Sequence, residues 1–450
     1  MLLALPPAAG AARGLEVSIM DDELLLGQSR EHIDRQMEVF RGLGVDRVRV
    51  SAFWDGNAPA PESTVRPAGF DPADHRDPQY RWEALDRVVD SAAAHGLRVM
   101  LSITTPAPLW AVGRNHVWQP SPSEFGLFAG AVAARYADRV DVYGIANEPN
   151  QGGWLQPQSD SRGYFAPHWY RAMLLAAYPA VKAADPDSLA LIGNLASSGS
   201  RRPGGRRTPI KPLAFMRAMA CVDRRLRPVR GGRCRGFEPV PADAIGHHPY
   251  QFFRAPGDGA PRRDDAGLAD SRRLLRLVDR LVRRGRIEAS RRLDLHFSEF
   301  GYQTNPPDPF AGVALRRQSR WLQEAAYVAW RSRRVRSLNQ FQLVDGAESG
   351  TGFSAFREFQ SGLLFRDGRP KPAFRAFAQP VVLAGSRLWG QVRPGGAHMV
   401  AIERRAPGRR RFRVVRQVAT DGLGYFTAPA RGGGSWRFRW EGGVSDAVAR

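Results

Sequence analysis

Cysteine, lysine and long apolar runs are all scarce in this chain of 450 residues. Only Cys221 and Cys234 are cysteines, which excludes a disulfide-rich mini-protein. No apolar run approaches the roughly 20 residues that a membrane-spanning helix needs, so we expect no transmembrane segment. The composition, with 43% hydrophobic and 24% charged residues, is ordinary for a globular chain and excludes a largely disordered or collagen-like one.

Lysine is replaced almost completely by arginine. Only three of the 66 basic residues are lysine, and against 44 acidic residues they leave a net charge of +22. This charge raises the alternative of a nucleic-acid-binding protein. However, the arginines are scattered along the whole chain, and no helix-turn-helix, zinc-finger or RNA-recognition signature accompanies them. A coding sequence rich in G and C suffices to explain the pattern, so we expect no specific nucleic-acid partner.

The first residues of the chain resemble the end of a secretory signal peptide. A short apolar stretch is followed by small residues with an Ala-x-Ala-like end. We therefore expect a signal-peptide remnant at residues 1–14 and a secreted, extracellular protein; an Ala/Pro leader without this role is the alternative. In an exported protein, Cys221 and Cys234 are expected to form a disulfide, because no metal-ligand partners lie near them in the sequence.

From Leu15 onward, short apolar strands alternate with helical segments. A helix is clearest after Ser121, a favoured N-cap residue followed by Pro122 and by Glu124 three positions on. Eight such units predict an α/β fold, a (β/α)8 TIM barrel over residues 15–380, with a doubly wound sheet as the alternative. The strand candidates are Leu15–Ile19, Val45–Ser51, Leu97–Ile103, Val140–Ala146, Leu189–Leu195, Ala244–His248, Leu293–Ser298 and Ser337–Leu343.

Helical periodicity ends after about Ala378. Strand-like segments separated by Gly/Pro turns follow, and they predict a small β-sandwich over residues 381–450. We expect an accessory domain that packs against the barrel; a carbohydrate-binding module is the alternative, although no exposed aromatic platform is evident. The strand candidates are Ala397–Arg404, Arg411–Gln417, Gly424–Phe426 and Ser435–Trp440.

Two strand ends carry a carboxylate. The fourth predicted strand runs into Asn147-Glu148-Pro149, and the seventh ends at Ser298-Glu299-Phe300. Active sites of such barrels lie at the C-terminal ends of the strands, so both side chains are expected at the barrel mouth. Glycoside cleavage needs two opposed carboxyl groups: a protonated one for the leaving oxygen and an ionised one for the anomeric carbon. The sequence therefore predicts a glycoside hydrolase.

The two motifs resemble those of clan A of the retaining glycoside hydrolases, with families 5 and 39 as the nearest relatives. The resemblance covers roughly residues 15–380 and rests mainly on the two Glu motifs. It implies that Glu148 is the acid/base and that Glu299 is the nucleophile. It also implies that Asn147 hydrogen-bonds the 2-hydroxyl of the sugar.

Further positions extend the resemblance and are expected to bind substrate. Arg49 lies on the second strand, where such enzymes keep an arginine near the nucleophile, and its charge would lower the pKa of Glu299. His248 and Tyr250 match a His-x-Tyr motif after the sixth strand. The chain departs from the family after the eighth strand, where Phe341 and Gln342 stand in place of a tryptophan; Gln342 is the predicted contact there.

The sequence thus predicts a secreted, retaining hydrolase that acts on a poly- or oligosaccharide, as a monomer and without cofactor or metal. A catalytically silent barrel that binds polysaccharide is the alternative, and the presence of both carboxylates argues against it. His247 and His296 are expected in the core. Four tryptophans near the mouth are as suited to packing as to stacking on a sugar: Trp54, Trp110, Trp118 and Trp154.

Overall fold

The computed structural model describes residues 14–202 and 204–449. Its first part is a closed barrel of eight parallel strands, each paired with the next in the chain, with the last paired to the first. The predicted barrel is confirmed, and the doubly wound sheet is excluded. The barrel strands are β1 (Glu16–Met20), β2 (Arg47–Phe53), β3 (Arg98–Thr104), β4 (Val140–Ile145), β5 (Leu189–Ala196), β6 (Ala244–His248), β7 (Asp294–Phe300) and β8 (Val335–Phe341).

One main helix follows each barrel strand. The side chain of Ser121 accepts a hydrogen bond from the backbone N–H of Glu124, as expected of an N-cap. Two single-turn helices, Asp22–Leu25 and Trp54–Asn57, lie in the loops after β1 and β2. The main helices are α1 (Arg30–Gly42), α2 (Glu83–Ala94), α3 (Pro122–Tyr136), α4 (Ala166–Ala184), α5 (Pro212–Met219), α6 (Ser271–Arg283), α7 (Leu315–Trp330) and α8 (Pro372–Ala378).

The barrel strands are buried on both faces because helices cover the outside and side chains fill the inside. Each predicted strand overlaps the observed one to within two residues at either end. Strand β2 carries two buried arginines. Arg47 forms ion pairs with Glu16 and Asp141. Arg49 lies two residues further along β2, nearer the mouth.

The C-terminal part forms two antiparallel sheets around a common apolar core that includes Leu388, Ile402, Phe426 and Phe438. The strands of the two sheets are β9 (Val381–Ala384), β10 (Arg387–Gln391), β11 (Met399–Arg405), β12 (Arg413–Ala419), β13 (Tyr425–Pro429), β14 (Ser435–Trp440), β15 (Gly443–Val444) and β16 (Val448–Ala449). One sheet has the order β9-β10-β13. The other has the order β12-β11-β14-β15, and β16 pairs with β14. The boundary placed at residue 381 stays a prediction.

These sheets pack on the barrel away from its mouth. Trp389 is 1% exposed and contacts the ring of Trp330 on α7 at 5.8 Å between centroids. The hydroxyl of Tyr425 donates to the carbonyl of Leu15, just before β1, at 3.3 Å. Since the N-terminal ends of the strands lie opposite the mouth, the contact with Leu15 places this part of the domain at the far end of the barrel.

Two further expectations concern single features. Cys221 and Cys234 form a disulfide, which confirms the predicted bond. Among the helices of the described ranges, none is long and apolar enough to cross a membrane. The signal-peptide remnant predicted for residues 1–14 lies outside the described residues, except for Gly14.

Candidate active site

Glu148 and Glu299 face each other at the C-terminal ends of β4 and β7. At least one carboxyl oxygen of each lies within 4.8 Å of the other. Nδ1 of His248, at the end of β6, is 2.9 Å from Oε1 of Glu148 and 3.3 Å from Oε2 of Glu299. The side chains of Glu148 and Glu299 are 17% and 7% exposed, so the pair is shielded yet open to a ligand at Glu148.

The backbone that carries Glu148 adopts an unusual conformation. Ala146 and Glu148 have φ angles of 64° and 37°, in the left-handed region that costs a non-glycine residue free energy. The N–H of Glu148 donates to the carbonyl of Asn194 at 3.0 Å, and that of Asn147 donates to the hydroxyl of Thr104 at 3.0 Å. These bonds hold the irregular strand end in place and direct the Glu148 side chain toward Glu299.

Asn194, on β5, joins the two strand ends and was not among the predicted site residues. Its Nδ2 donates to the carbonyl of Ala146 at 3.1 Å, and its Oδ1 accepts from the hydroxyl of Ser298 at 3.1 Å. A Cβ at Gly246 would come within 1.8 Å of that Oδ1, so only glycine fits there. A lone amide in the apolar sequence of β5 is the signal that could have revealed it.

Arg49 is the central cation of the site. Its guanidinium donates to Oε1 of Glu299 at 2.6 Å and to Oδ1 of Asn147 at 2.8 Å. A third bond, from the same nitrogen that binds Asn147, to the hydroxyl of Ser102 at 3.1 Å, also fixes the guanidinium. Because Arg49 occupies Oδ1 of Asn147, the amide nitrogen of Asn147 is the group left to donate to another molecule.

The two carboxyl groups have opposite electrostatic environments. Burial raises the pKa of Glu148, and the negative charge of Glu299 adds to this, against the hydrogen bond from His248. Burial also acts on Glu299, but the charges of His248 and Arg49 outweigh it and lower the pKa of Glu299. At a pH between the two pKa values, Glu148 therefore holds a proton while Glu299 is ionised.

Tyr250 completes the shell around Glu299. Its hydroxyl donates to Oε2 of Glu299 at 3.1 Å. Burial and the neighbouring negative charge raise the pKa of Tyr250 well above 10, so it stays a donor. Its ring lies nearly parallel to those of Phe252 and Phe359, at centroid distances of 6.2 and 6.4 Å, and this aromatic packing fixes the hydroxyl.

Gln342, at the end of β8, lies at the mouth with its amide engaged inside the protein. Its Nε2 donates to the carbonyl of Glu358 at 2.7 Å, and its Oε1 accepts from the hydroxyl of Ser361 at 2.9 Å. The side chain therefore holds the loop after β8. Its predicted contact with substrate stays a prediction.

The four tryptophans have different surroundings. Trp54 is 1% exposed and belongs to the core, and Trp110 packs edge-on against it at 6.1 Å. Trp154 is half-buried and lies parallel to the ring of Phe53 at 6.4 Å. Trp118, after β3, is half-buried and lies beneath two arginines. Packing thus accounts for Trp54 and Trp110.

Both predicted core histidines are buried. His247 and His296 are 1% and 4% exposed, and burial lowers the pKa of each to about 4. They are therefore neutral at ordinary pH.

Two groups of side chains in the described residues have ligand atoms close enough to hold a cation, and one of them consists of Glu148, His248 and Glu299. The imidazole already lies between the carboxylates, and a cation would have to displace it. The second group contains the two sulfur atoms of the disulfide, which are not available as thiolates. The expected absence of a metal stays a prediction.

Comparison with known proteins gives a family match and similar folds. A model of the Cellulase family (glycosyl hydrolase family 5) matches residues 14–217. A family 39 glycoside hydrolase from the gut symbiont Bacteroides cellulosilyticus WH2 is 15% identical with a TM-score of 0.58, over 93% of this chain and 79% of that chain. The GH39 enzyme from Xanthomonas axonopodis pv. citri is 15% identical with a TM-score of 0.52, over 94% of this chain and 93% of that chain.

A third solved structure, GH5_18 from Streptomyces cattleya in complex with GlcNAc, is 17% identical with a TM-score of 0.52, over 82% of this chain and 79% of that chain. No protein of curated function matches significantly. At such identities the structural matches show the fold. Together with the family match, they confirm the resemblance predicted from the two Glu motifs.

Proposed function

We propose that this chain is a glycoside hydrolase of the clan A type, which cleaves O-glycosidic bonds of a poly- or oligosaccharide by double displacement, with retention of configuration. The observation that carries the proposal is the opposed pair Glu148 and Glu299, with carboxyl oxygens within 4.8 Å and pKa values displaced in opposite directions. Retaining enzymes hold their two carboxyl groups about 5–5.5 Å apart, whereas inverting ones need room for a water molecule between.

In the first step, Glu299 attacks the anomeric carbon. Its carboxylate forms an ester bond to that carbon while the bond to the leaving oxygen breaks, and the proton of Glu148 passes to that oxygen. Arg49 and Tyr250 support this role because they keep Glu299 ionised and fix its orientation. Both bind the carboxylate before reaction, so they position it without supplying the proton.

In the second step, Glu148 acts as the base. Once Glu299 is esterified its negative charge is gone, and the pKa of Glu148 falls because one cause of its elevation is lost. Glu148, now ionised, removes a proton from the incoming water, whose oxygen bonds to the anomeric carbon as the ester to Glu299 breaks. Two inversions at one carbon give net retention.

Asn147 is proposed to bind the sugar. Its Oδ1 accepts a hydrogen bond from Arg49, so its amide nitrogen is the group free to donate to a hydroxyl of the substrate. By the family resemblance that hydroxyl is the 2-hydroxyl, whose hydrogen bond strengthens in the transition state. His248 contacts both carboxylates and is proposed to hold them in position.

We also propose that the protein is exported. The disulfide between Cys221 and Cys234 supports this, since such bonds persist in oxidising compartments. The alternative of a non-catalytic polysaccharide-binding barrel has less support, because binding alone gives no reason to bury two carboxyl groups with opposite pKa shifts.

The experiment that tests the mechanism is the stereochemistry of the first product. A panel of aryl glycosides first identifies a sugar that the chain hydrolyses, and proton NMR then follows the anomer released before mutarotation. We expect the sugar released first to have the same anomeric configuration as the substrate. The opposite anomer at early times would contradict double displacement, while leaving hydrolysis itself intact.

A further inference from the structure

The loops at the barrel mouth differ sharply in charge. The segments 105–121 after β3 and 197–211 after β5 carry six basic residues and no acidic one. The segments after β1 and β2, residues 21–29 and 54–82, carry three basic and eight acidic residues. Five of the six basic residues lie in the β5 loop, four of them arginines, so the positive charge at the mouth is greatest on this loop.

Five exposed arginines make up this basic surface, which we call the arginine face. Four of them lie within a stretch of seven residues in the β5 loop, and the fifth comes from the β3 loop. In residues 14–202 and 204–449, none of the five has a carboxylate oxygen within 4.0 Å, although many arginines elsewhere in the chain do. The arginine face consists of Arg114, Arg201, Arg202, Arg206 and Arg207.

The ring of Trp118 links the two loops of the arginine face. The guanidinium carbons of Arg114 and Arg206 lie 5.0 and 5.4 Å from the centroid of the Trp118 ring, a cation–π arrangement that orders both side chains. The backbone carbonyl of Arg206 accepts a hydrogen bond from Gln158 of the β4 loop at 2.7 Å. The two loops that carry the cations are thus joined to each other, and the β5 loop is also bonded to the β4 loop.

The β5 loop, which carries four of the five arginines, is tied to the segment that carries Glu148. Asn150, two residues after Glu148, donates from Nδ2 to the carbonyl of Ile210 at 2.9 Å and to that of Ala196 at 3.2 Å. It thereby ties both ends of the β5 loop to the segment that carries Glu148. With Glu148 as the proposed acid that protonates the leaving oxygen, this connection is the reason for assigning the arginine face to the departing part of the substrate.

We propose that the arginine face binds the carboxylate or sulfate groups of an acidic glycan, in the part of the substrate that leaves when the glycosidic bond breaks. This inference rests on the proposed function. Guanidinium groups bind such oxyanions with two parallel hydrogen bonds, and the absence of protein carboxylates leaves these donors available. A nucleic acid would meet the same cations, but it has no glycosidic oxygen to present to Glu148 in this position.

The test compares two variants of equal charge by titration calorimetry on the full chain. The first changes Arg201, Arg202, Arg206 and Arg207 to glutamine. The matched control changes four exposed arginines of the C-terminal sheets in the same way: Arg409, Arg410, Arg411 and Arg413. The probes are tetrasaccharides of galacturonate and of glucuronate-substituted xylan, a chondroitin sulfate tetrasaccharide, neutral cello- and xylotetraose, and a single-stranded RNA.

We expect at least one acidic tetrasaccharide to bind more tightly than the neutral ones. Its affinity should fall by about tenfold or more in the first variant and stay unchanged in the control, because each exposed ion pair contributes a few-fold factor to the affinity. The uronate and sulfate probes separate the two kinds of acidic group. Equal weakening in both variants, tighter binding of RNA than of every glycan, or no preference for acidic glycans would overturn the proposal. Hydrolysis of neutral glycans without such a preference would leave the proposed function standing.

Discussion

Replacing Arg49 by methionine removes the cation beside Glu299 and keeps a similar side-chain volume. Arg49 and Glu299 are 1% and 7% exposed and their atoms are 2.6 Å apart, so the substitution leaves a buried carboxylate without its partner. Breaking a buried pair in this way costs about 3–5 kcal/mol. If the remaining hydrogen bonds to Glu299 offset half of that cost, about 2 kcal/mol still opposes the ionisation of Glu299. This corresponds to a rise of more than one unit in the pKa of Glu299.

The sign of the effect on rate follows from the role of Glu299. On the proposed mechanism the enzyme is active only when Glu299 is ionised, so the acidic limb of kcat/KM against pH should report the pKa of Glu299. Arg49 lowers that pKa in the native protein, and its loss raises it. We therefore expect the acidic limb of Arg49→Met to move up by about one pH unit or more, with lower activity throughout.

The control for this experiment is Arg47→Met. Arg47 lies two residues earlier on the same strand, is 1% exposed, and is paired with Glu16 and Asp141 at the opposite end of the barrel. The substitution Arg47→Met should lower the free energy of unfolding by a similar amount, as measured by denaturant unfolding, and should leave the acidic limb where it is in the native protein. An unchanged limb in folded Arg49→Met, or an equal displacement in both variants, would refute the reasoning.

Three further predictions concern single groups. Glu148→Ala should lose most activity on substrates with poor leaving groups but keep the first step for dinitrophenyl glycosides, seen as a burst of phenol; equal loss on both classes would remove Glu148 as the acid. Glu299→Ala should be inactive, and azide should restore cleavage with inverted configuration, as product NMR can show; activity without azide would exclude Glu299 as the nucleophile. Replacing Cys221 and Cys234 by serine should lower the free energy of unfolding by roughly 3 kcal/mol on the chain-entropy account and leave kcat unchanged, and an unaltered Tm would contradict this.

Features written in consecutive residues could be predicted from the sequence. The apolar runs of the eight strands and the carboxylates at two of their ends are local patterns, and they led to the barrel and to Glu148 and Glu299. Strands β9 and β10 were missed because each is only four or five residues long, although Pro380 precedes the first and Gly385 lies in the turn between them.

Contacts between distant segments could not be predicted in the same way. Asn194 connects Ala146 with Ser298, residues about 50 and 100 positions away, and no local pattern reports that arrangement. The same holds for Phe252 and Phe359, which lie on either side of Tyr250 with φ angles of 53° and 64°. Tertiary packing imposes these backbone conformations, against the preference of the residues themselves.

The covalent role of Glu299 is the central claim, and trapping the intermediate tests it most directly. A 2-deoxy-2-fluoro glycoside of the sugar that the chain hydrolyses, with a good leaving group, should slow the second step more than the first. Peptide mass spectrometry of the inactivated protein should then show the fluorosugar attached to Glu299. Attachment at another residue, or turnover of a hydrolysed sugar with no covalent adduct under these conditions, would contradict the account.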